Sequence, residues 1–595
     1  MCPKHAGRAY RAIGIKPHPC PRGRFSANNR PPTRAVWASV FLIPIATQTI
    51  AGAGFSLGVS AGDVTPTGAI LWTRADDAIG VVAEVATDAD FSAVIFRADA
   101  EATPDNDQTI RVTADGLPPD TTLYYRFSAK DQPDCVSRVG QFRTAPLDGD
   151  NRAVRFAYSG DSDFRYAPFG ILGHAAREDL DFFIWFGDTI YGDVPAGGLG
   201  RATTLADYRA KYRQMRSDPY LQELAASTAF YVGWDDHEIY NDYAGMDPDL
   251  SAEQREAAYQ AFFEYMPIRA NPAEEWRTYR QFRYGSMLEL FLLDDRQYRD
   301  QSVEDLCNAL DPYGVLLGPF GKDNDCIDLL DSPRSMLGDA QFDWLVDGLR
   351  ASETRYRFVV ESITMSFVGL LPYDHWDGYE AERRRLLEAI DQSRIENVIV
   401  LATDIHASAY NPDLTVPFRF PRGNYDLPNG IRVQELVAGP IGTTSFKEAI
   451  VGVGAEFLGA PRAGFEALFD ALEPLLLTRL RQISNYRHFE PNRFSYVRID
   501  IGEDGRAKAT SFGLPPSRSD VDTGELERVF EADLSEPAAG LPCGLPIGVL
   551  MAGLGLAASR TAPGRSSAAA SGTRASASAG ASARRGRRGR VWAHR

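Results

Sequence analysis

The sequence predicts an α/β (α+β) protein, in which a layered domain of mixed strands and helices follows a smaller all-β domain. From Val154 to about Phe530, short apolar runs typical of buried strands alternate with longer stretches of helical spacing. Between residues 55 and 147, strand-like runs follow one another with Gly- and Pro-rich turns between them, which is typical of a fibronectin or immunoglobulin sandwich. The predicted domains are a leader at 1–54, the β-sandwich at 55–147, the layered domain at 150–535 and a tail at 536–595.

The leader contains an apolar run at residues 35–50, with basic residues before it and the small residues Ala51 to Gly54 after it. This is the order of a secretory signal, so we expect export to the periplasm, the cell surface or the extracellular medium. Pro44 and the shortness of the run argue against a transmembrane helix. The alternative is a disordered leader in which the apolar patch has no role.

The tail begins with an apolar, uncharged stretch at residues 541–558, and an Arg-, Ser- and Ala-rich segment follows it. A marginal membrane-spanning or sorting helix with positive flanks has this pattern. The tail also resembles the C-terminal sorting segments of the PEP-CTERM kind found on some bacterial exported proteins. Membrane attachment through 541–558 and a low-complexity tail without a role both remain open.

The charge of the chain is distributed unevenly. The whole chain carries −17, but both ends are basic, and residues 55–535 hold 79 acidic against 46 basic residues. Such an acidic body argues against specific nucleic-acid binding, and it fits a secreted protein or one that holds multivalent cations. We expect the protein to be a monomer.

The cysteines indicate no thiolate metal site. Cys307 and Cys326 bracket a Gly- and Asp-rich segment of the layered domain, and in an exported chain we expect them to pair. Cys135 has no cysteine near it in the sequence. Because Cys-x-x-Cys does not occur, neither a zinc ribbon nor a thioredoxin-type site is indicated.

Four of the predicted strands end in acidic or histidine side chains. The run Phe182–Phe186 stops at Gly187 and is followed at once by Asp188, with Tyr191 three residues further on. Because the carboxyl ends of strands in open α/β sheets face the crevice where ligands bind, we expect these side chains to lie close together. The other three runs are 155–160 before Asp161 and Asp163, 229–234 before Asp235, Asp236 and His237 with Asn241 beyond, and 397–403 before Asp404 and His406.

These residue types predict a site for hard metal ions. Carboxylate, amide, phenol and imidazole groups suit Mn, Fe, Zn, Mg or Ca rather than thiolate-binding ions. Two such ions bridged by a shared carboxylate clamp a phosphoryl group and lower the pKa of a bound water. Asp188 is the natural bridge, and Tyr191 as a phenolate favours a ferric ion. His237 is placed to protonate a leaving oxygen or to hold a phosphoryl oxygen.

With these residues the chain resembles the calcineurin-like metallophosphoesterases and, more narrowly, the PhoD-like alkaline phosphatases. The resemblance rests on Gly187-Asp188-x-x-Tyr191, on Trp234 to Glu238 with Asn241, and on Asp404-x-His406. It covers roughly residues 55–515, with supporting segments at 55–64, 71–74, 264–269, 336–345 and 374–385. It implies a β-sandwich followed by a four-layered αββα phosphoesterase domain. Such an enzyme hydrolyses phosphomonoesters or phosphodiesters outside the cytoplasm by attack of a metal-bound hydroxide.

The resemblance also implies roles for the individual residues. Asp188 would bridge two metal ions, of which the first is Fe³⁺ and the second Ca²⁺ or another divalent ion such as Mn²⁺ or Zn²⁺. Asp161, Tyr191 and His406 would bind the ferric ion, Asp236 and Asp404 the second ion, and His237 and Asn241 would face the phosphate. One position departs from the family pattern: where PhoD-like enzymes often have a Cys ligand, this chain has Ser159-Gly160-Asp161-Ser162-Asp163. An Asp at this position is closer to the purple acid phosphatase pattern, and it leaves the pair of metals open.

Several nearby residues have two interpretations each. Asp235 is a metal ligand or a structural acid, Asp163 a ligand or a turn former, and Arg296 a partner of phosphate or of Asp294. His174 lies in a helix-like segment and is interpreted as structural. His375 lines the pocket or only forms part of its loop, and His488 replaces a lost ligand or has no role in the site.

Two rival functions have weaker support. A hydrolase with a Ser or Thr nucleophile has Thr189 as its one well-placed candidate, but no Gly-x-Ser-x-Gly elbow supports it. A non-catalytic surface protein could use the acidic residues to bind Ca²⁺ for stability. Because both alternatives leave Tyr191, His237 and His406 unexplained, the metallophosphoesterase interpretation is preferred.

Overall fold

The computed structural model describes residues 54–77, 79–245, 247, 250–301, 332–366, 374–415, 425–457, 459, 461–516 and 525–535. The apolar run at 35–50, the pair Cys307 and Cys326, and the stretch at 541–558 lie outside these residues, so their roles stay predictions. Within the described ranges, no helix has both the length and the apolar character that crossing a membrane requires. Cys135 is disulfide-bonded, and the other five cysteines of the chain lie outside the described residues.

The first large sheet has nine strands and carries three of the four site loops. Its central strands β9, β10 and β11 are parallel, β1 adds to β11 in parallel, and β19 pairs with β9 in the antiparallel direction. In spatial order the strands are β21 (Glu527–Asp533), β20 (Ala507–Leu514), β19 (Phe494–Ile501), β9 (Val154–Ser159), β10 (Phe182–Phe186), β11 (Ala229–Gly233), β1 (Val59–Thr65), β2 (Gly68–Arg74) and β5 (Thr109–Asp115).

The second large sheet has seven strands and carries the fourth site loop after β15. Strands β13, β14, β15 and β17 are parallel, and β12, β16 and β18 extend the sheet in the antiparallel direction. In spatial order the strands are β12 (Arg280–Tyr284), β13 (Leu288–Leu292), β14 (Tyr356–Val360), β15 (Val398–Ala402), β17 (Val433–Val437), β16 (Ser408–Asn411) and β18 (His488–Glu490).

The N-terminal region is all-β, as predicted, but its strands divide between two sheets. Strands β1, β2 and β5 belong to the nine-stranded sheet, whereas the others form a sheet of their own. The boundaries of the predicted domains stay predictions. The separate sheet consists of β4 (Val94–Glu101), β3 (Gly80–Ala86), β6 (Thr122–Ala129), β7 (Gln132–Val136) and β8 (Gly140–Arg143).

Three of the described helices, α2, α3 and α4, begin after a residue whose side chain caps the first turn. At the start of α2, the side chain of Thr204 and that of Asp207 each accept from the other's backbone N–H, and Asp218 accepts from two N–H groups of α3. The described helices are α1 (Gly170–Ala175), α2 (Leu205–Arg216), α3 (Pro219–Ser227), α4 (Ala252–Tyr265), α5 (Gly338–Ala351), α6 (Glu380–Gln392), α7 (Phe446–Phe457) and α8 (Arg462–Ser484).

The two large sheets pack face to face, with helices on both outer sides. Along β10 successive side chains point to opposite faces of the sheet. Phe182 and Ile184 lie in the core between the two sheets, and Phe183 and Trp185 pack against helices α1 to α4. The ring of Phe182 lies 4.7 Å from that of Tyr284 in the other sheet. Helices α5 and α6 cover the outer face of the seven-stranded sheet. These four layers confirm the αββα architecture, and each fully buried aromatic side chain contributes about 1.5–3 kcal/mol.

Candidate metal centre

Loops from the carboxyl ends of both sheets bring their acidic and histidine side chains to one place. Ligand atoms of Asp161, Asp188 and His406 lie within 4.8 Å of one another, and so do those of Asp188, Asp236 and His237. Asp188 is therefore common to two clusters. Two further sets satisfy the same distance limit, Asp235 with Asp236 and Asp404, and Asp236 with Asp242 and Asp374.

The backbone turns sharply at these residues. Asp161, Asp188, Asp404 and His406 all have left-handed φ angles, between 49° and 66°. A short polar side chain adopts this conformation at moderate cost, and such strain is concentrated at functional sites. Gly160 allows the strand ends to approach, since a Cβ there would lie 2.2 Å from the carbonyl oxygen of Phe186.

The carboxylates are buried without enough positive charge or hydrogen bonds to compensate them. Asp161, Asp188 and Asp236 are each at most 3% exposed. Among the described residues, Asp161 Oδ2, Asp235 Oδ2 and Asp236 Oδ1 have no hydrogen-bond partner. Burial, followed by repulsion from neighbouring acids, raises the pKa of Asp161 and of Asp188 well above its usual value. Buried, unpartnered carboxylate oxygens fit hard cations, which would compensate these charges.

Tyr191 and His406 complete the side of the cluster near Asp161. Tyr191 Oη lies 3.2 Å from His406 Nε2, and its ring stacks on that of His237 with centroids 4.2 Å apart. Burial raises the pKa of Tyr191 well above 10, so an ionised phenol here requires a cation beside it. Burial lowers the pKa of His406, which favours the neutral imidazole that binds metals.

His237 is fixed by two neighbours on its own side of the site. Its Nδ1 lies 2.6 Å from Asp193 Oδ1, and its backbone N–H donates to Asp188 Oδ1 over 3.2 Å. Burial lowers the pKa of His237, but the charges of Asp236 and Asp193 outweigh burial and raise it to about 9. Asn241 is exposed at the rim, and its amide donates to Asp242 Oδ2 over 2.5 Å.

Arg296 is a fully buried guanidinium behind the carboxylates. It pairs with Asp235 and, over 2.7 Å, with Asp374 Oδ2. Its Nη2 lies 3.8 Å from Asp236 Oδ2 and 3.9 Å from Asp404 Oδ1. The side chain of Arg296 therefore pairs with other acids rather than with that of Asp294. One oxygen of Asp235 is occupied by this pairing.

The remaining candidates have local roles or lie elsewhere. Asp163 accepts from the backbone N–H of Arg165 at the turn Phe164–Tyr166 and pairs with its guanidinium at 2.5 Å, which supports the turn-former interpretation. His174 lies in α1, and His488 stacks on Phe530 with centroids 5.2 Å apart. Neither histidine joins the acidic clusters found among the described residues. Thr189 is fully buried and its hydroxyl donates to Glu238, so it is not available as a nucleophile.

Sequence reasoning assigned Asp193 no role in the site, and for Arg296 and His375 it did not predict the partners that the structure shows. Asp193 gave a weak signal, since it lies five residues after Asp188 in the same loop. Arg296 follows β13 much as the site acids follow their strands, but its partner is 61 residues away in the sequence. His375 Nε2 lies 2.5 Å from Asp404 Oδ2, and no local pattern pairs these two residues.

Comparison with known protein families gives the class of protein to which this chain belongs. Residues 156–505 match the family model of the PhoD-like phosphatases, and residues 43–146 match the N-terminal domain of the same family. The chain belongs to the PhoD-like phosphatase family, which confirms the resemblance seen in the sequence.

Individual proteins and solved structures are also similar to this chain. Alkaline phosphatase D of Bacillus subtilis (strain 168) is 32% identical over 393 residues, which are 60% of this chain and 64% of that protein. The alignment thus spans slightly less than two thirds of the relative's length. A solved structure of PhoD matches with a TM-score of 0.64 and 26% identity, over 83% of this chain and 93% of that chain. A purple acid phosphatase from yellow lupin (Lupinus luteus) seeds matches at a TM-score of 0.46 and 12% identity, over 80% of this chain and 73% of that one, too weakly to support an inference.

Proposed function

We propose that this protein is a metal-dependent phosphoesterase of the alkaline phosphatase D type, which hydrolyses phosphomonoesters or phosphodiesters. The observation that carries the proposal is the position of Asp188, which belongs both to the cluster with Asp161 and His406 and to the cluster with Asp236 and His237. A carboxylate shared by two ligand sets is what a pair of metal ions requires. Membership of the PhoD-like phosphatase family supports the same conclusion.

Two sets of residues would hold the ions. Asp161, Tyr191 and His406 would hold the first ion together with Asp188, and Asp236 and Asp404 would hold the second with the same Asp188. The phenol of Tyr191 favours Fe³⁺ at the first position, and the all-carboxylate second position suits Ca²⁺, Mn²⁺ or Zn²⁺. When bound, such a pair polarises the phosphoryl oxygens and makes a water molecule more acidic.

The protein's own side chains would orient the substrate and supply a proton. His237 is tied to Asp193 through Nδ1, which leaves Nε2 for the substrate. From that nitrogen it would donate a proton to the leaving oxygen. Asn241, exposed at the rim, would donate an amide hydrogen bond to a phosphoryl oxygen. Asp193 would keep His237 in the tautomer and orientation that this transfer needs.

The same proposal includes where the protein acts. The signal-like run at 35–50 supports export to the periplasm or the cell surface, and membrane attachment through 541–558 would hold the enzyme there. The acidic body of the chain is consistent with a secreted monomer that does not bind nucleic acid specifically.

Turnover of two chromogenic substrates by the full-length protein tests the proposal. Bis(p-nitrophenyl) phosphate reports diesterase activity and p-nitrophenyl phosphate reports monoesterase activity, each before and after treatment with a chelator. The variant Asp188→Asn should reduce both rates by at least about 10²- to 10³-fold, because it removes the charge shared by the two ion sites. Asp179→Asn is the matched control, since Asp179 is exposed at the opposite end of β10.

Two results would contradict this function. The first is a wild-type protein that shows no turnover with any of Fe, Mn, Zn or Ca restored. The second is full activity in Asp188→Asn. A melting temperature that depends on Ca²⁺ in a protein without turnover would instead favour the non-catalytic cation-binding interpretation.

A further inference from the structure

We propose that His375 is a positioning residue that holds Asp404 in the orientation required by the second metal ion. This inference rests on the proposed function, because it concerns one of the carboxylates assigned to that ion. His375 is not adjacent in sequence to any of the residues that the strand ends supply.

The contact itself is short and buried. His375 Nε2 donates to Asp404 Oδ2 over 2.5 Å, and His375 is 4% exposed. The other oxygen, Asp404 Oδ1, lies 3.9 Å from Arg296 Nη2, too far for a hydrogen bond. One oxygen of Asp404 is therefore held by the imidazole, and the other is left for an ion in the cluster with Asp235 and Asp236.

Asp404 needs such a partner more than the other candidate ligands do. Its side chain is 19% exposed, whereas the whole residues Asp161, Asp188 and Asp236 are at most 3% exposed. Its backbone N–H already donates to Asp161 Oδ1 over 3.2 Å, which fixes the main chain but not the carboxylate. A partly exposed carboxylate without a hydrogen-bond donor would sample several rotamers, only some of which face the ion.

The residue before His375 anchors it through charge. Asp374 pairs with Arg296 over 2.7 Å and with Arg299 Nη2 over 2.5 Å, and Arg299 Nη1 also donates to the backbone carbonyl of Asp374. Both guanidinium groups are fully buried. Because buried, hydrogen-bonded ion pairs are hard to break, these contacts anchor the backbone on the N-terminal side of His375.

The residues after His375 anchor it on the other side. The fully buried indole of Trp376 donates to Glu361 Oε2 over 2.8 Å, and the N–H of Gly378 donates to the carbonyl of His375 over 2.9 Å. His375 Nδ1 has no hydrogen-bond partner in the described part of the chain. The ring therefore contacts Asp404 through Nε2, and at 4% exposure it is held inside the protein.

Metal retention in three variants of the full-length protein tests this role. His375→Ala removes the donor, His375→Gln keeps an amide N–H at a reach similar to that of Nε2, and His375→Asn keeps one that is too short. The measurement is metal content per chain after dialysis against a graded series of chelator concentrations. Steady-state kcat and KM for bis(p-nitrophenyl) phosphate and the melting temperature are measured on the same samples.

We expect His375→Ala and His375→Asn to lose the second ion at chelator concentrations about 10- to 100-fold lower than the wild type. His375→Gln should lose the second ion only at chelator concentrations close to those that the wild type requires. Rescue by glutamine but not by asparagine is the result that a merely structural role would not give. His174→Ala is the control for the loss of a partly buried histidine, and it should leave metal retention unchanged.

Two outcomes would overturn the inference. In the first, His375→Ala retains both ions as the wild type does. In the second, His375→Gln loses the ion as readily as His375→Ala although its melting temperature matches the wild type. If His375→Ala does not fold, the comparison of Gln with Asn decides. A wild-type protein that holds two ions but hydrolyses no phosphate ester would refute the proposed function, while metal retention would still decide the role of His375.

Discussion

Replacing Asp193 by alanine tests whether His237 delivers a proton to the leaving group. The carboxylate of Asp193 lies 2.6 Å from His237 Nδ1, and the two side chains are only 8% and 14% exposed. A hydrogen bond to a charged group contributes about 1.5–3 kcal/mol in such a place. At about 1.4 kcal/mol per factor of ten, its loss should lower kcat by about 10- to 150-fold. Asp193→Asn keeps a hydrogen-bond acceptor but removes the charge, so its kcat should lie between that of the wild type and that of Asp193→Ala.

The assay compares two monoesters that differ in the basicity of the leaving oxygen. p-Nitrophenolate leaves readily without a proton, whereas the more basic phenolate of phenyl phosphate needs one. The loss in Asp193→Ala should therefore be larger on phenyl phosphate than on p-nitrophenyl phosphate. Metal content is measured in parallel, and Asp179→Ala serves as the control.

An equal loss on both substrates would refute proton delivery by His237 and indicate a role in binding the phosphoryl group. An unchanged kcat in Asp193→Ala would refute the orienting role of Asp193 itself.

Two further expectations concern stability. Asp63→Ala should lower the free energy of unfolding by about 3–5 kcal/mol, seen as a lower melting temperature, because it leaves the mostly buried Arg280 without its ion pair. Asp99→Ala removes an exposed ion pair and is the control, which should change the free energy of unfolding little. An equally small effect of Asp63→Ala would contradict this prediction. Burial raises the pKa of Asp295 to about 7, although the backbone N–H of Ser362 donates to its carboxylate. The native state therefore keeps a proton on Asp295 that the unfolded state releases from about pH 4 upward. Between pH 5 and pH 8, the free energy of unfolding of the wild type should fall by on the order of 3 kcal/mol relative to that of Asp295→Asn, as measured by urea unfolding. If the difference in unfolding free energy between the two proteins does not change with pH, this prediction is wrong.

Local pattern was sufficient to predict the strands that support the site. Strands β9, β10, β11 and β15 begin and end within one residue of the predicted apolar runs. A fully buried strand of five to seven residues leaves a continuous apolar signature, and the polar residue that ends it is equally visible. The convergence of Asp161, Asp188, Asp236 and Asp404 could be expected because parallel strands deliver their carboxyl ends to one edge.

Contacts between distant parts of the chain could not be predicted in the same way. The pair of His375 and Asp404 spans 29 residues and that of Arg296 and Asp235 spans 61, and no periodicity connects them. The strand-like runs predicted between residues 55 and 147 did not show which sheet each strand joins, and β1, β2 and β5 lie in the nine-stranded sheet. Pairing partners are set by packing across the whole domain, which a local window does not contain.

The membership of β1 and β2 in the nine-stranded sheet has a consequence for how the chain is made. The hydroxyl of Tyr231 donates to the carbonyl of Val64, 167 residues earlier, and the indole of Trp72 donates to the carbonyl of Glu264, 192 residues later. Strand β1 can pair with β2, and β2 with β5, soon after they are made, but the other edge of β1 has no partner until β11 has been synthesised. Such long-range pairing is slow, and an unpaired apolar edge readily joins other chains. A nascent chain interrupted before β11 would therefore expose this edge of β1 and be prone to aggregate.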